Sequence, residues 1–120
     1  MNGRVDELLQ ALLDVTVRST SDGNDFVVCA WIDTAFNGEF VFPRDLIAKL
    51  KLEQQAATDA ILADGNHVTL ESYVCYLEWF GEMRAVQVIA NDGRIPLLGT
   101  ELLAQRVLHI DYSNKLLTLD

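Results

Sequence analysis

Residues 13–18 alternate Leu13, Val15 and Val17 with Asp14, Thr16 and Arg18, the period of two expected of a strand buried on one face. Residues 26–32 then run apolar without a break, which reads as a central strand paired back on the first. Between them, Ser21-Asp22-Gly23-Asn24-Asp25 is turn chemistry, because Gly and Asn take positive φ at low cost. Phe40-Val41-Phe42 predicts a short strand. Pro43 and Asp45 open a helix through about Leu50, with Leu46, Ile47 and Leu50 at helical spacing. Residues 53–59 are polar and read as a helix end or loop. Residues 60–62 and 68–73 flank Asp64-Gly65-Asn66, and Asp-Gly is a strong hairpin signal. A second hairpin joins residues 73–80 to 83–90 around Gly81-Glu82. Asn91-Asp92-Gly93 then turns the chain toward residues 95–99. A brief helix over 100–104, a strand over 107–112 and a turn at Ser113-Asn114 lead into a last strand over 116–119.

The first dozen residues admit two readings. Val5, Leu8, Leu9, Leu12 and Leu13 fall at helical spacing, yet they could equally begin an extended terminal strand at an interface. The chain therefore divides into an N-terminal segment, residues 1–12, and a domain over 13–120. Six to eight short strands with one or two short helices predict an all-β fold, a small closed β-barrel.

Composition narrows the function classes. Half of the 120 residues are hydrophobic and 22% are charged, the balance of a globular domain. Nine Lys and Arg against eighteen Asp and Glu give a net charge of -9, which argues against a nucleic-acid footprint. No apolar segment approaches the roughly 18–20 residues that span a bilayer, so no membrane role is expected. Residues 1–7 lack the charged-then-apolar organisation of a signal peptide, and a cytoplasmic location is the default expectation. Cys29 and Cys75 sit in apolar runs without a Cys-x-x-Cys spacing and read as two buried thiols. His67 and His109 are isolated, so neither a metal site nor a cofactor is expected.

The chemistry concentrates at Trp31-Ile32-Asp33-Thr34-Ala35-Phe36-Asn37-Gly38. Asp33 stands where an apolar strand gives way to a Gly-containing turn, a place from which a carboxylate can position a water. Alone, one Asp is a poor general base at neutral pH. Two carboxylates sharing a proton do better, because like charges a few ångströms apart cannot both ionise. The chain has one Asp-Thr-Ala, so a second Asp33 would have to come from a two-fold mate.

A second motif lies near the C-terminus: Pro96-Leu97-Leu98-Gly99-Thr100-Glu101-Leu102-Leu103, followed by Leu108-His109-Ile110-Asp111. The ordered set of Ile32-Asp33-Thr34-Ala35, the Asp64-Gly65-Asn66 hairpin and Leu97-Leu98-Gly99 resembles the retropepsin-like (clan AA) aspartic proteases over residues 13–119. It looks most like the small bacterial and archaeal type, whose Asp-Thr-Gly-Phe, Gly and helix-opening Pro match residues 33–36, Gly38 and Pro43. Their Leu-Ala-Asp-Gly flap appears here as Leu62-Ala63-Asp64-Gly65.

The resemblance implies a homodimeric aspartic endopeptidase without cofactor, in which each chain gives Asp33 to a shared dyad. It further implies that Thr34 bonds across the dimer axis and that the Ala35 N–H supports the carboxylate. Ala63, Asp64, Gly65 and Asn66 would form a flap over bound peptide. Phe36, Ile61 and Leu97 would wall the pocket, Leu98 and Gly99 would pass close beneath the active loop, and the terminal strands would build the dimer sheet. A peptide or protein substrate would bind extended between flap and floor. Ala35 departs from the family's Gly: it keeps the N–H but adds a Cβ, which would strain a Gly-type turn by about 1 kcal/mol. The alternatives are a catalytically silent dimer of the same fold that binds peptide or protein, and an unrelated β-barrel binding module.

Overall fold

The computed structural model describes residues 1–61 and 63–120; Leu62, part of the flap motif, lies outside the described residues. Ten strands and two short helices follow one another: β1 (Asn2–Val5), β2 (Ala11–Arg18), β3 (Phe26–Ile32), β4 (Phe40–Pro43), α1 (Arg44–Leu50), β5 (Glu53–Ile61), β6 (His67–Trp79), β7 (Glu82–Asn91), β8 (Leu97–Leu98), α2 (Thr100–Leu103), β9 (Leu108–Asp111) and β10 (Leu116–Leu119). All belong to one sheet that closes on itself. The ring runs β6-β7-β4-β8-β3-β2 and returns to β6 through Thr16↔Glu78, Val17↔Leu77 and Arg18↔Tyr76. The expected small closed barrel is the fold observed.

The alternation of β2 and β3 sets the core. Leu13, Val15 and Val17 point inward with Val28, Ala30 and Ile32, and the ring closes over Phe40, Phe42, Leu77, Val88 and Leu98. Phe40 and Phe42 pack ring against ring at 4.9 Å. At ~25 cal/mol per Å² of apolar surface removed from water, each such side chain contributes about 1.5–3 kcal/mol. Helix α1 plugs one end of the barrel with Ile47 and Leu50. It begins directly after Pro43, whose fixed φ of -57° suits the entry, and ends at Lys51 in the left-handed conformation.

Two segments differ from the pattern reading. The polar stretch that begins at Glu53 is neither loop nor helix end but strand β5, paired with β6 from Glu53↔Val74 to Ile61↔His67. Hydrophobic periodicity could not reveal it, because this arm buries little of itself: Glu53, Gln54, Gln55, Ala56, Ala57 and Asp59 are all exposed. The ladder of backbone hydrogen bonds defines the strand instead. Of the two cysteines, Cys75 is fully buried but Cys29 only half. Cys29 lies on the outer face of β3, where Arg4 donates to its sulfur at 3.3 Å.

At the N-terminus, Asn2–Val5 is extended and pairs with β10 (Asn2↔Thr118 to Arg4↔Leu116) and with β2 (Arg4↔Leu12, Val5↔Ala11). Terminal strands β1 and β10 thus join within their own chain, and β9 lies on the far side of β10. The N-terminal ammonium donates to the Leu119 carbonyl at 2.6 Å. Among the described residues no helix is long and apolar enough to cross a membrane.

Candidate active site

Strand β3 is central in the ring, and its end carries Asp33. The Asp33 N–H makes a further bond of the parallel β3–β8 pair, donating to Leu98 O at 2.9 Å. One residue later the chain turns. Asp33 O accepts from the Phe36 N–H at 3.2 Å, and Asp33 Oδ1 accepts from the Ala35 N–H at 2.9 Å. The second arrangement is an Asx turn, in which a short carboxylate stands in for a backbone carbonyl. The backbone of Asp33 is thereby anchored in the sheet and its side chain oriented by the turn. Among the described residues Oδ2 has no hydrogen-bond partner, and neither has the Thr34 hydroxyl. Asp33 is half-buried, while Thr34 and Ala35 are exposed.

Ala35 takes a negative φ; among the described residues the non-glycine residues at positive φ are Leu9, Lys51, Phe80, Gln105 and Lys115. The expected strain of an Ala in a Gly-type conformation therefore does not arise, and its N–H reaches the carboxylate.

The loop is held from below by α2. Thr100 N–H donates to Phe36 O at 2.8 Å, Glu101 N–H to Gly38 O at 3.2 Å, and Gly99 N–H to Glu39 O at 2.8 Å. So close an approach needs Gly99 to lack a side chain. A Cβ there would meet the Gly38 carbonyl oxygen and stand 2.6 Å from the Phe36 ring. Its φ of -94° is ordinary for any residue; space, not conformation, makes this position glycine.

A cavity of about 340 Å³ opens beside the carboxylate, lined by Trp31, Ile32, Asp33, Thr34, Ala35 and Leu97. Leu97 is thus placed beside Asp33. Phe36 lies under the loop against Gly38 and Gly99 rather than on the cavity wall. Ile61 stands on the β5 arm, 70% exposed and off the wall. Ala63, Asp64, Gly65 and Asn66 form the tip between β5 and β6. There Asp64 accepts from Asn66 N–H at 3.0 Å and from Asn66 Nδ2 at 2.8 Å, and Gly65 has a φ of 87°. None of the four lines the cavity of the single chain.

Two contributors were not singled out from the sequence. Glu39 follows the loop; its carboxylate accepts from Gln87 N–H at 2.9 Å and pairs with Arg84 at 3.3 Å, tying the loop to β7. Trp31, given no role of its own at the head of the Asp33 stretch, lines the cavity and is 37% exposed. Parity was the available signal for it: two residues before Asp33 on a strand, it shares that residue's outward side. Among the described residues no cluster of three or more His, Cys, Asp or Glu could hold a metal.

No family model matches the chain, and no curated protein sequence matches it. Solved structures do. A retropepsin-like aspartic protease from Rickettsia conorii superposes with a TM-score of 0.71 over 99% of this chain and 88% of its own, at 15% identity. EIAV protease complexed with the inhibitor HBY-793 superposes with a TM-score of 0.56 over 80% of this chain and 86% of its own, at 17% identity. The chain has the retropepsin fold.

Proposed function

We propose that this retropepsin-fold chain is an aspartic endopeptidase that acts as a homodimer. The observation that carries the reading is the state of Asp33: one carboxylate oxygen held by the Ala35 N–H, the other uncommitted, on a rigid turn beside a cavity. A lone carboxylate can take a proton from water but offers no acid to polarise a carbonyl. Two copies brought together about a two-fold axis supply both. One Asp33, ionised, removes the proton from a bridging water; the other, protonated, donates to the carbonyl oxygen of the scissile amide, and the roles exchange as the amine leaves. Thr34 Oγ1, exposed and without a partner among the described residues, bonds across the axis and holds the two loops together. Ala63, Asp64, Gly65 and Asn66 close over an extended peptide through backbone contacts, with Leu97 as one wall of the side-chain pocket.

Surface chemistry supports the pairing of two chains. Register across five strands sets Trp31, Leu12, Arg4, Leu116 and Asp111 in one row on the outer face of the sheet, ending two residues short of Asp33. In that row Trp31 and Leu116 are exposed, at 37% and 57%, while Leu12 between them is buried; Leu8 and Leu9 stand exposed on the β1–β2 turn at the same end. Apolar side chains contiguous with a catalytic loop are suited to a second copy.

Cleavage of a mixed peptide library between about pH 4 and 7, at protein concentrations that favour dimer, tests the reading. Products are expected from wild type and not from Asp33→Asn, with the rate falling above neutral pH as the shared proton is lost. A rate that keeps rising through pH 8, or equal cleavage by Asp33→Asn, would overturn the mechanism. Thr34→Ala should raise the dimer dissociation constant in sedimentation equilibrium; an unchanged constant would remove Thr34 from the interface.

A further inference from the structure

The β5–β6 arm that ends in residues 63–66 is joined to the barrel at one level. Strand β6 pairs with β7 from Trp79↔Glu82 to Ser72↔Ile89 and no further. Past that point β7 runs on beside β4, as far as Pro43↔Asn91, while residues 67–71 of β6 pair with β5 alone. At the same level β5 is irregular: Gln54 pairs with Tyr73 and Ala56 with Ser72, which leaves Gln55 over. A bulge bends its strand and interrupts the ladder. Both strands of the arm therefore lose regular support within two residues of Ser72, which is the layout of a joint.

Arg44 stands in the fork where β6 and β7 part. It opens α1 directly after Pro43, the residue paired with Asn91. Its Nη1 donates to Glu71 Oε2 at 2.8 Å, on the first residue of β6 beyond the fork. Its Nε donates to Asp92 Oδ1 at 3.1 Å, on the first residue after β7. The Tyr73 hydroxyl donates to the same Glu71 oxygen at 2.9 Å. One guanidinium thus clasps both sides of the fork. A cavity of about 280 Å³ lies among Arg44, Ile47, Ala48, Tyr73 and Ala90, which leaves the root of the arm room to shift against α1.

We propose that Arg44, Glu71 and Tyr73 are positioning residues that set the angle of the β5–β6 arm, and with it the place of residues 63–66 over a bound peptide. The proposal rests on reading those residues as a flap. From Ala56 to Ile61, β5 spans about 17 Å at ~3.3 Å per residue, so a swing of about 10° at the root carries its far end about 3 Å. A misplacement of about 1 Å is already enough to change a rate. The clasp orders the arm before peptide arrives, so less freedom is lost on binding. It stands at the end of β4 away from the Asp33 loop, and none of its residues lines the cavity beside Asp33. Its influence on the site passes through the arm.

The test compares wild type with Arg44→Gln, Glu71→Gln and the double variant, by backbone 15N relaxation and relaxation dispersion. In each single variant the amides of residues 56–61 and 67–70 should loosen together, their order parameters falling from near 0.85 toward about 0.6 or their exchange broadening growing. Trp31 and Asp33 should keep theirs. The double variant should be no looser than either single one, since both remove the same bond. Cleavage should show KM raised about three- to tenfold with kcat within about twofold, the mark of lost ordering rather than altered chemistry. Should a variant fold poorly, wild type at about 0.5 M salt, where the ion pair is screened, must show the same loosening. Arm amides unchanged in the variants, single effects that add in the double, or a fall in kcat at constant KM would overturn the proposal. A wild type that cuts no peptide would sink the protease reading alone, and the relaxation data would still decide whether the clasp holds the arm.

Discussion

Single residues decide whether the loop around Asp33 can exist. Gly99 and Ala35 show how differently two small residues can be constrained. Gly99 is boxed in by the Gly38 carbonyl and the Phe36 ring, and Gly99→Ala should destabilise the protein by about 1–3 kcal/mol through overpacking. Urea denaturation measures this; a loss under about 0.5 kcal/mol would mean the loop yields freely. Ala35 has an ordinary φ and an exposed side chain, so Ala35→Gly relieves no strain and should cost about 0.4–1 kcal/mol by loosening the unfolded chain. A gain in stability would contradict the negative φ. The sequence marked Gly99 as close-packed through its motif, whereas Ala35 invited an inference of strain that only the backbone angles could remove. Glu39 gave no signal at all, because a single Glu after a turn is ordinary until β7 is seen to lie beside it.

At the scale of elements, local chemistry was legible wherever it was self-contained. The hairpin expected around Gly81-Glu82 is realised one residue earlier, as a two-residue turn with Phe80 at φ 52° and Gly81 at φ 84°, positive at both positions as the twist of a hairpin favours. Phe80 accepts that conformation while packed edge-on to Trp79 at 5.1 Å and beneath the Arg106 guanidinium at 3.6 Å. The β9–β10 turn carries a pH dependence. Asp111 accepts from the Asn114 side chain at 2.8 Å and its backbone N–H at 3.0 Å, and these bonds hold its carboxyl below the ordinary value. A carboxylate favoured by the fold adds stability above the unfolded pKa, near 4, and loses it as pH falls through the lower folded value. Wild type should therefore exceed Asp111→Asn in stability at pH 6 and approach it near pH 2. A constant difference across that range would exclude this origin. Strand β5 was hidden for the opposite reason: an arm with little buried surface leaves no period in its residues.

The whole molecule adds what no element contains. Cys75 lies at the centre of the barrel, and burial, with Glu39 nearby, pushes its thiol from 9.0 up to about 12. The fold thus favours the neutral thiol. Stability is intact below the unfolded pKa and declines as pH rises from about 9 toward 12. Cys75→Val should flatten that decline in thermal melts, and a slope shared with wild type would assign it to other groups. The exposed Leu116, in the outer row with Trp31, predicts that Leu116→Glu weakens the proposed dimer by at least about tenfold, as sedimentation equilibrium would read. An unchanged constant would move the interface elsewhere.

Alternation in residues 13–18, the apolar run into Asp33 and the turn residues at Asp64-Gly65 and Gly81 were enough to specify strands, hairpins and the barrel class, because each depends on contacts between neighbours in sequence. The ordered motifs likewise singled out Asp33, which the fold sets at the end of β3 beside a cavity. Three features depended on segments far apart in the chain: the closing of β2 on β6, the seating of Gly99 under Gly38, and the insertion of β8 between β3 and β4. Each is a matter of distance between backbones, and residue type constrains that distance only after the sheet has brought the segments together.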